Sequence, residues 1–380
     1  MRKAYHTRKA LPRYNMTTRP HFLSLTEEQL KAEIVKLGEP SFRAAQVWQW
    51  IYVHKQNDPS QMSNLSKSLQ SKLADSFNWS LPTIKTRLDS ADQASKLLLL
   101  TDQQQMIETV ILRYEGRVSV CVSSQVGCRL ACTFCQTGKL GFFRHLTQGE
   151  ILGQYYIAQQ ILLREEEGRR LSHVVFMGMG EPLDNAAEVL PAVNKLIDPN
   201  GFGLSAKNVT ISSSGIVPEI ETLANKTRAS LAISLHAPTD ELRSELMPIN
   251  RRYNLAQLKA AMKKYQHESG NIVTIEYIMI KNKNCSLTQA KQLVSYLHGL
   301  KAKINLIPFN PHPGLPFQKP DAEEIRSFQK HLSDRGYPSP VRYSRGLEVS
   351  GGCGQLAAKT SEALHDAPKR KNVVAEQMSL

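Results

Sequence analysis

Cys128, Cys132 and Cys135 stand in a C-x3-C-x2-C spacing, and with Cys121 they place four of the chain's six cysteines within fifteen residues. Three thiolates this close can hold three irons of a cubane cluster and leave the fourth iron open for a small molecule to coordinate. The alternative is a structural zinc site, which takes four ligands and would need Cys121 or a distant residue as the fourth. After an apolar stretch at 173–176 comes a glycine turn that carries a carboxylate, Gly178, Met179, Gly180, Glu181 and Pro182. A nucleotide-binding G-x-G-x-x-G would need glycine at Leu183, so the turn does not fit that motif. Small or polar residues follow other strand-like runs: Ser212, Ser213 and Ser214; Ser234, Leu235 and His236; and Asn310. Each alone could be loop filler, but all share an address just after a strand. Cys353 lies among Gly351, Gly352 and Gly354, in a glycine-rich and therefore conformationally free loop. Cys285, in the polar stretch 281–286, has no partner motif and is given no role.

Alternating strands and helices must position these residues. Strand-like runs fall at 173–176, 208–212, 230–235, 272–280 and 304–308, with helical periodicity between them, notably at 147–164 and 255–267. The alternation specifies an α/β fold with a parallel sheet, either doubly wound or curled into a full or partial barrel. In a barrel, residues just past the strand C-termini face one common site. Before this region, four β-branched segments at 83–88, 96–101, 106–112 and 118–122, separated by Asp, Gln and Gly turns, read as hairpin strands. Residues 21–80 read as helical. Thr26 and Gln29 make a capping box and Gly38 ends the first helix; Ser41 is expected to cap a second, whose Ala44, Val47, Trp48 and Ile51 form one stripe. A third helix is expected at 63–77, with Leu65, Leu69 and Leu73 in line. The expected divisions are a basic extension at 1–20, a helical accessory domain at 21–82, β-hairpins at 83–124, the core at 125–343, and a C-terminal loop and tail at 344–380. The polar tail from Lys359, with Lys369, Arg370 and Lys371, is expected to be disordered.

With 380 residues, 41% hydrophobic and 22% charged, the chain has the apolar content to bury a core, which excludes global disorder. No apolar run approaches the roughly 20 residues of a membrane span. The first twenty residues hold six basic side chains and no acid or apolar core, so a cytoplasmic location is expected. A net charge of +14 favours a polyanionic partner such as RNA or DNA, or else marks a merely solvated basic surface. Arg129, Lys139, Arg144, His145, Arg251, Arg252, Arg342 and Arg345 flank the motifs and could hold phosphates.

The cysteine triplet, with Phe134 before its last member, resembles that of radical S-adenosylmethionine (SAM) enzymes. More specifically, five strings resemble the RlmN/Cfr family of radical SAM RNA methyltransferases and occur in order between residues 21 and 358. They are Cys121-Val-Ser-Ser-Gln-Val-Gly-Cys128, Gly178-Met-Gly-Glu-Pro-Leu183, Ser234-Leu-His-Ala-Pro238, Met247-Pro-Ile-Asn250 and Gly352-Cys-Gly-Gln355. The resemblance implies a partial (β/α)6 TIM-like barrel. It implies a [4Fe-4S] cluster on Cys128, Cys132 and Cys135, and two SAM molecules per turnover. SAM contacts are implied for Gly180, Glu181, Pro182, Ser213, Ser234, Leu235, His236 and Asn310, with the Gly-Glu-Pro turn accepting from the methionyl ammonium.

Adenine C2 and C8 are not nucleophilic, so the methyl must arrive as a radical carbon. In the family, the cysteine matching Cys353 is methylated by one SAM, and a radical from the second takes hydrogen from that methyl, which then adds to the base. Cys121 matches the thiol that releases the product by forming a disulfide with Cys353, and Glu108 matches the proton acceptor. The implied substrates are an adenine of 23S rRNA near the peptidyl-transferase centre and the adenine 3′ of the tRNA anticodon, methylated at C2. An electron-donating reductase and a monomeric enzyme are also implied. Val126 and Gly141-Phe142 look closer to the C2 branch than to the C8-methylating one, which is the alternative. Residues 344–350 depart from the family's usual acidic, alanine-rich run, which bears on substrate range. From another class, a non-catalytic zinc-containing RNA-binding protein stands as the remaining alternative.

Overall fold

The computed structural model describes residues 19–166, 168–311 and 314–357; residues 1–18 and the tail from 358 lie outside the described residues, and with them the expectations for the basic extension and the disordered tail. The chain forms two compact units, divided between Ser80 and Leu81.

In the first unit, α1 (Glu27–Lys36) is opened by the expected box: Gln29 N–H donates to Thr26 Oγ1 (3.1 Å) and Thr26 N–H to Gln29 Oε1 (2.8 Å). Gly38, at φ 77°, takes the left-handed position beyond the last turn. The second helix, α2 (Arg43–Tyr52), is not capped by Ser41. The Arg43 N–H donates to the Pro40 carbonyl (3.0 Å) and the Ala44 N–H to that of Ser41 (3.1 Å), so Ser41 is already inside a turn. A capping hydroxyl needs an extended residue, and Phe42, the residue before the helix, is itself helical at φ −64°. α3 (Lys67–Ser76) starts later than 63 because Ser66 takes the cap, its hydroxyl accepting from Leu69 N–H at 3.2 Å. Leu30, Ile34, Val47, Ile51, Leu69 and Leu73 are fully buried, each contributing about 1.5–3 kcal/mol of transfer free energy.

The second unit opens with a meander, β1 (Thr83–Asp89), β2 (Ala94–Leu100), β3 (Met106–Tyr114) and β4 (Arg117–Cys121), each pair antiparallel. Then β5 (Gln125–Gly127) and β6 (Phe142–His145) pair as a separate ribbon, with α4 (Gln136–Leu140) and the three clustered cysteines between them. The sequence showed no ribbon, because three residues are too few to carry a period. Alternation follows: α5 (Gln148–Glu165), β7 (Leu171–Phe176), α6 (Ala186–Ile197), β8 (Val209–Ser213), α7 (Val217–Leu223) and β9 (Ser230–Ser234). It continues through α8 (Asp240–Leu246), α9 (Leu255–Ser269), β10 (Val273–Met279), α10 (Leu287–Leu297), β11 (Ala302–Pro308) and α11 (Ala322–Ser333).

One nine-stranded sheet runs in the order β1-β2-β3-β4-β7-β8-β9-β10-β11. From β4 onward its neighbours are parallel, giving six parallel strands of an open (β/α) barrel with edges at β1 and β11. β4 both ends the meander and begins the parallel set, so residues 83–121 share one sheet with the barrel strands. The strands are apolar on both faces, as a sheet covered by helices requires: Val174, Ile211, Leu231, Ala232, Ile233, Ile275 and Ile304 are fully buried.

Candidate active site

The C-terminal ends of the parallel strands surround a cavity. Cys128, Cys132, Cys135, Gly180, Glu181, Pro182, Ser213, Ser234, His236 and Cys353 all line it. Leu235, Asn310, Cys121 and Glu108 are not part of this lining.

The thiol loop is closed by Cys128 N–H, which donates to the Gly141 carbonyl (2.9 Å), and tightened by Cys135 N–H donating to the Cys132 carbonyl (3.1 Å). The three cysteines pack against a buried apolar group that includes Leu130, Phe134, Met247 and Phe309. Burial pushes all three thiols up from their ordinary range. Among the described residues no three such side chains converge on one point as they would round a single ion; the three thiols instead share the lining of one cavity. A metal centre reverses their protonation preference, because a coordinating thiol is deprotonated outright. Three soft thiol donors on one side of a cavity with space beyond them fit an iron–sulfur cluster with an open position. Cys121 is not part of the lining that the three thiols share.

The glycine turn passes very close to the strand ends. A Cβ on Gly178 would lie 2.7 Å from the Val122 carbonyl carbon, and one on Gly180, at φ 100°, 2.5 Å from Gln125 Cβ. Glu181 ties two strand ends together: one oxygen accepts from Leu183 N–H (3.1 Å), the other from Ser214 N–H (2.8 Å) and hydroxyl (2.7 Å). Burial holds its carboxyl above the usual range against these hydrogen bonds.

His236 adopts a left-handed φ of 59°, which turns its ring edge-on to Phe134 at 4.9 Å. Ile278 N–H donates to its Nδ1 (3.0 Å). That bond leaves the proton of the neutral ring on Nε2, and burial with the nearby Arg243 lowers the pKa to about 3, so the ring stays neutral.

Arg243 is the residue that sequence reasoning missed. It is fully buried, and its guanidinium donates to the carbonyls of Ser214 (2.6 Å), Ser234 (3.2 Å) and Leu235 (3.2 Å) and to Asn250 Oδ1 (2.9 Å). It thus clamps the ends of β8 and β9, where the predicted cofactor contacts lie. Asn250, the last residue of the Met-Pro-Ile-Asn string, in turn donates to Asp240 Oδ1 (2.9 Å) and Ser244 Oγ (2.9 Å). Leu235 is wholly buried and contributes backbone: its N–H donates to the Glu276 carbonyl (3.1 Å).

The loop at 344–357 is fastened over this site. Gln136 N–H donates to the Gly354 carbonyl (2.9 Å) and Thr137 hydroxyl to that of Leu356 (2.7 Å). Asn310 Nδ2 donates to Ser344 Oγ (2.8 Å) and to the Cys353 carbonyl (3.4 Å), so Asn310 holds the loop. Cys353 is reached by solvent on its cavity side. Protein crowds it elsewhere, and this, with Glu276 and Cys135 as neighbours, pushes its thiol up to about 11. Cys121 is buried at the end of β4, its thiol raised by burial and by Cys353; both thiols are free. Glu108, on β3, is 2% exposed, pairs with Lys96 Nζ (3.0 Å), and accepts from Ala357 N–H (2.9 Å). Cys285 is a core thiol that donates to the Ile280 carbonyl (3.2 Å).

Several basic residues proposed for phosphate are already engaged. Arg144 meets both oxygens of Glu150 at 2.7 Å and is structural, which corrects its assignment. Arg129 pairs with Asp184 (2.8 Å) and lies 3.9 Å over the Phe142 ring, while Arg345 donates to the Asp92 carbonyl (3.1 Å). Arg251 and Arg252 are exposed beside the buried Asn250.

An open barrel of six parallel strands, with the C-x3-C-x2-C thiols and the Gly-Glu-Pro turn at one mouth, defines a radical SAM enzyme. Residues 122–286 match the Radical SAM superfamily, and residues 21–78 match the ribosomal RNA large subunit methyltransferase N-terminal domain. The dual-specificity RNA methyltransferase RlmN of a Nitratiruptor species is 43% identical, over 90% of this chain and 98% of its own length. That of Paracoccus denitrificans is 41% identical, over 90% of both chains. A radical SAM methyltransferase from Sphaerobacter thermophilus superposes with a TM-score of 0.86 at 41% identity, over 90% of this chain and all of that one. The chain belongs to the RlmN family of radical SAM RNA methyltransferases.

Proposed function

We propose that the protein methylates C2 of adenine in 23S rRNA and in tRNA, with Cys353 as the carrier of the methyl carbon. The observation that carries this reading is that Cys353, on a loop held by Asn310 and Thr137, lines the same cavity as three further thiols, while Cys121, at the end of β4, is close enough for Cys353 to raise its thiol. Cys128, Cys132 and Cys135 would hold the cluster, and the turn at Glu181 with Ser213, Ser234, His236 and the backbone at Leu235 would hold SAM. Bound there, cluster and SAM would supply methyl-transfer and radical chemistry at Cys353.

The Cys353 sulfur keeps the carbon attached to protein until it bonds to the base. Once the adduct has given up its unpaired electron, which the cluster would accept, Glu108 takes the proton from the base carbon, its carboxylate held by Lys96 and the Ala357 N–H. Cys121 then attacks the Cys353 sulfur, the carbon–sulfur bond breaks toward the base, and an external reductant reopens the disulfide. Asn310, just past β11, holds the loop through the Cys353 carbonyl. The same reading puts a monomer in the cytoplasm, served by an electron-donating reductase; among the described residues no helix is long and apolar enough to cross a membrane.

The test is nucleoside mass spectrometry on unmodified rRNA and tRNA incubated anaerobically with reconstituted enzyme, reductant and methyl-labelled SAM. Label in 2-methyladenosine is expected. Label in 8-methyladenosine would refute the C2 assignment, and cleavage of SAM to 5′-deoxyadenosine without base label would refute the RNA substrate. C121A is expected to accumulate enzyme cross-linked to RNA, and free turnover by it would remove the resolving role.

A further inference from the structure

One buried acid at the cavity has no part in the steps above. Glu276 on β10 is in register with Ser234 of β9 and Asn305 of β11, so the three form a polar row at one level of the barrel. It is 6% exposed and lines the cavity together with Cys353, whose thiol its charge helps to raise. Asn305 Nδ2 donates to its Oε1 (2.8 Å), and Asn305 Oδ1 accepts from Arg342 Nε (3.3 Å), so the carboxyl is held from behind. Glu108, the acceptor for the base proton, is not part of the cavity lining, whereas Glu276 is.

We propose that Glu276 is the proton acceptor when Cys353 receives its methyl group from SAM. The inference rests on the reading of Cys353 as methyl carrier. In this step the Cys353 sulfur bonds to the sulfonium methyl carbon, and the old methyl–sulfur bond breaks with its electron pair left on the departing thioether. The thiol proton passes to the Glu276 carboxylate and from there to solvent through the open cavity; no electrons are exchanged with a donor. A thiol is a weak nucleophile until its proton leaves, so the transfer needs a base beside it. Burial raises Glu276 to about 7, while Asn305, Arg342 and Lys303 pull it down, which matches a base working near neutrality.

The experiment follows labelled methyl incorporation into the Cys353 peptide by mass spectrometry. It uses reconstituted full-length enzyme prepared without prior methylation, with SAM and without RNA, from pH 6 to 9. The wild-type rate is expected to rise with pH and level off near 7. E276Q is expected to be about 100-fold slower at pH 7, within the usual range for loss of a general base, and to rise tenfold per pH unit without levelling. E276D should recover part of the rate. N305L, which removes a hydrogen bond favouring the carboxylate, should move the levelling point upward. Wild-type-like rate and profile in E276Q, or an unmoved levelling point in N305L, would overturn the proposal. If the wild-type enzyme itself takes no label at Cys353, the methyl-carrier reading fails first. Visible absorbance of the cluster in each variant reports that the site is assembled.

Discussion

Replacing Arg243 with methionine tests whether the two strand ends at the cavity depend on one guanidinium. The substitution keeps an unbranched side chain of similar length but strips donors from three backbone carbonyls and Asn250 Oδ1. Each buried acceptor left unsatisfied costs about 1–3 kcal/mol, so the gross loss is roughly 4–12 kcal/mol. Removing a buried charge returns several kcal/mol of desolvation, which brings the expected net loss to about 3–5 kcal/mol, the range for breaking a buried ionic contact. A unit of some 300 residues unfolds with an entropy of about 0.6 kcal/mol per degree, so the melting temperature should fall by roughly 5–8 °C. R243K should fall by about half as much, because one ammonium cannot reach four acceptors spread round a planar fork. The assay is thermal unfolding of anaerobically prepared protein, paired with the KM for SAM. A melting temperature within about a degree of wild type, with unchanged KM, would refute the clamp.

The cluster assignment separates two cysteine classes: C128A should lose the visible iron–sulfur absorbance, whereas C353A should keep it and lose all methyl transfer, read by absorbance and labelled-methyl counting. Glu276 carries a pH signature in stability. Its folded pKa, about 7, lies above the ordinary 4.5, so its contribution is fully present below 4.5 and is lost as pH rises through 7. Above that, the buried carboxylate costs on the order of 3 kcal/mol, and E276Q should be more stable than wild type at pH 8 but not at pH 5, by urea unfolding. G178A should force β4 and the turn apart at the 2.7 Å approach, costing about 1–3 kcal/mol and raising the KM for SAM, by melting and steady-state kinetics.

The parts of the fold written in local chemistry were legible in the sequence. The Thr26 box depends on residues three apart, and β7 to β11 depend on apolar runs bounded by turns. Ser41 misled because a hydroxyl before a helix reads as a cap whether or not the backbone there is extended. The start of the third helix was misplaced because Ser63 and Ser66 offer the same signal, and only packing chooses between them. At the site, the C-x3-C-x2-C triplet and the turn through Glu181 carry their spacing with them. Arg243 does not: in Asp-Glu-Leu-Arg-Ser-Glu-Leu it looks like one more charge on a solvated helix, and only the tertiary fold turns it inward. Glu276 left a fainter trace that could have been followed, a lone acid inside the apolar strand Val-Thr-Ile-Glu-Tyr-Ile-Met.

The fastening of the 344–357 loop has a consequence for how the molecule matures. Its anchors are Asp92, Glu108, Gln136, Thr137 and Asn310, spread from the first hairpin to the last barrel strand. A segment with such distant partners docks only after both ends of the sheet exist, so it is the last wall to go up. Cys353 therefore keeps its place at the cavity only while both ends of the sheet are formed, so loosening either end would release it from the three thiols.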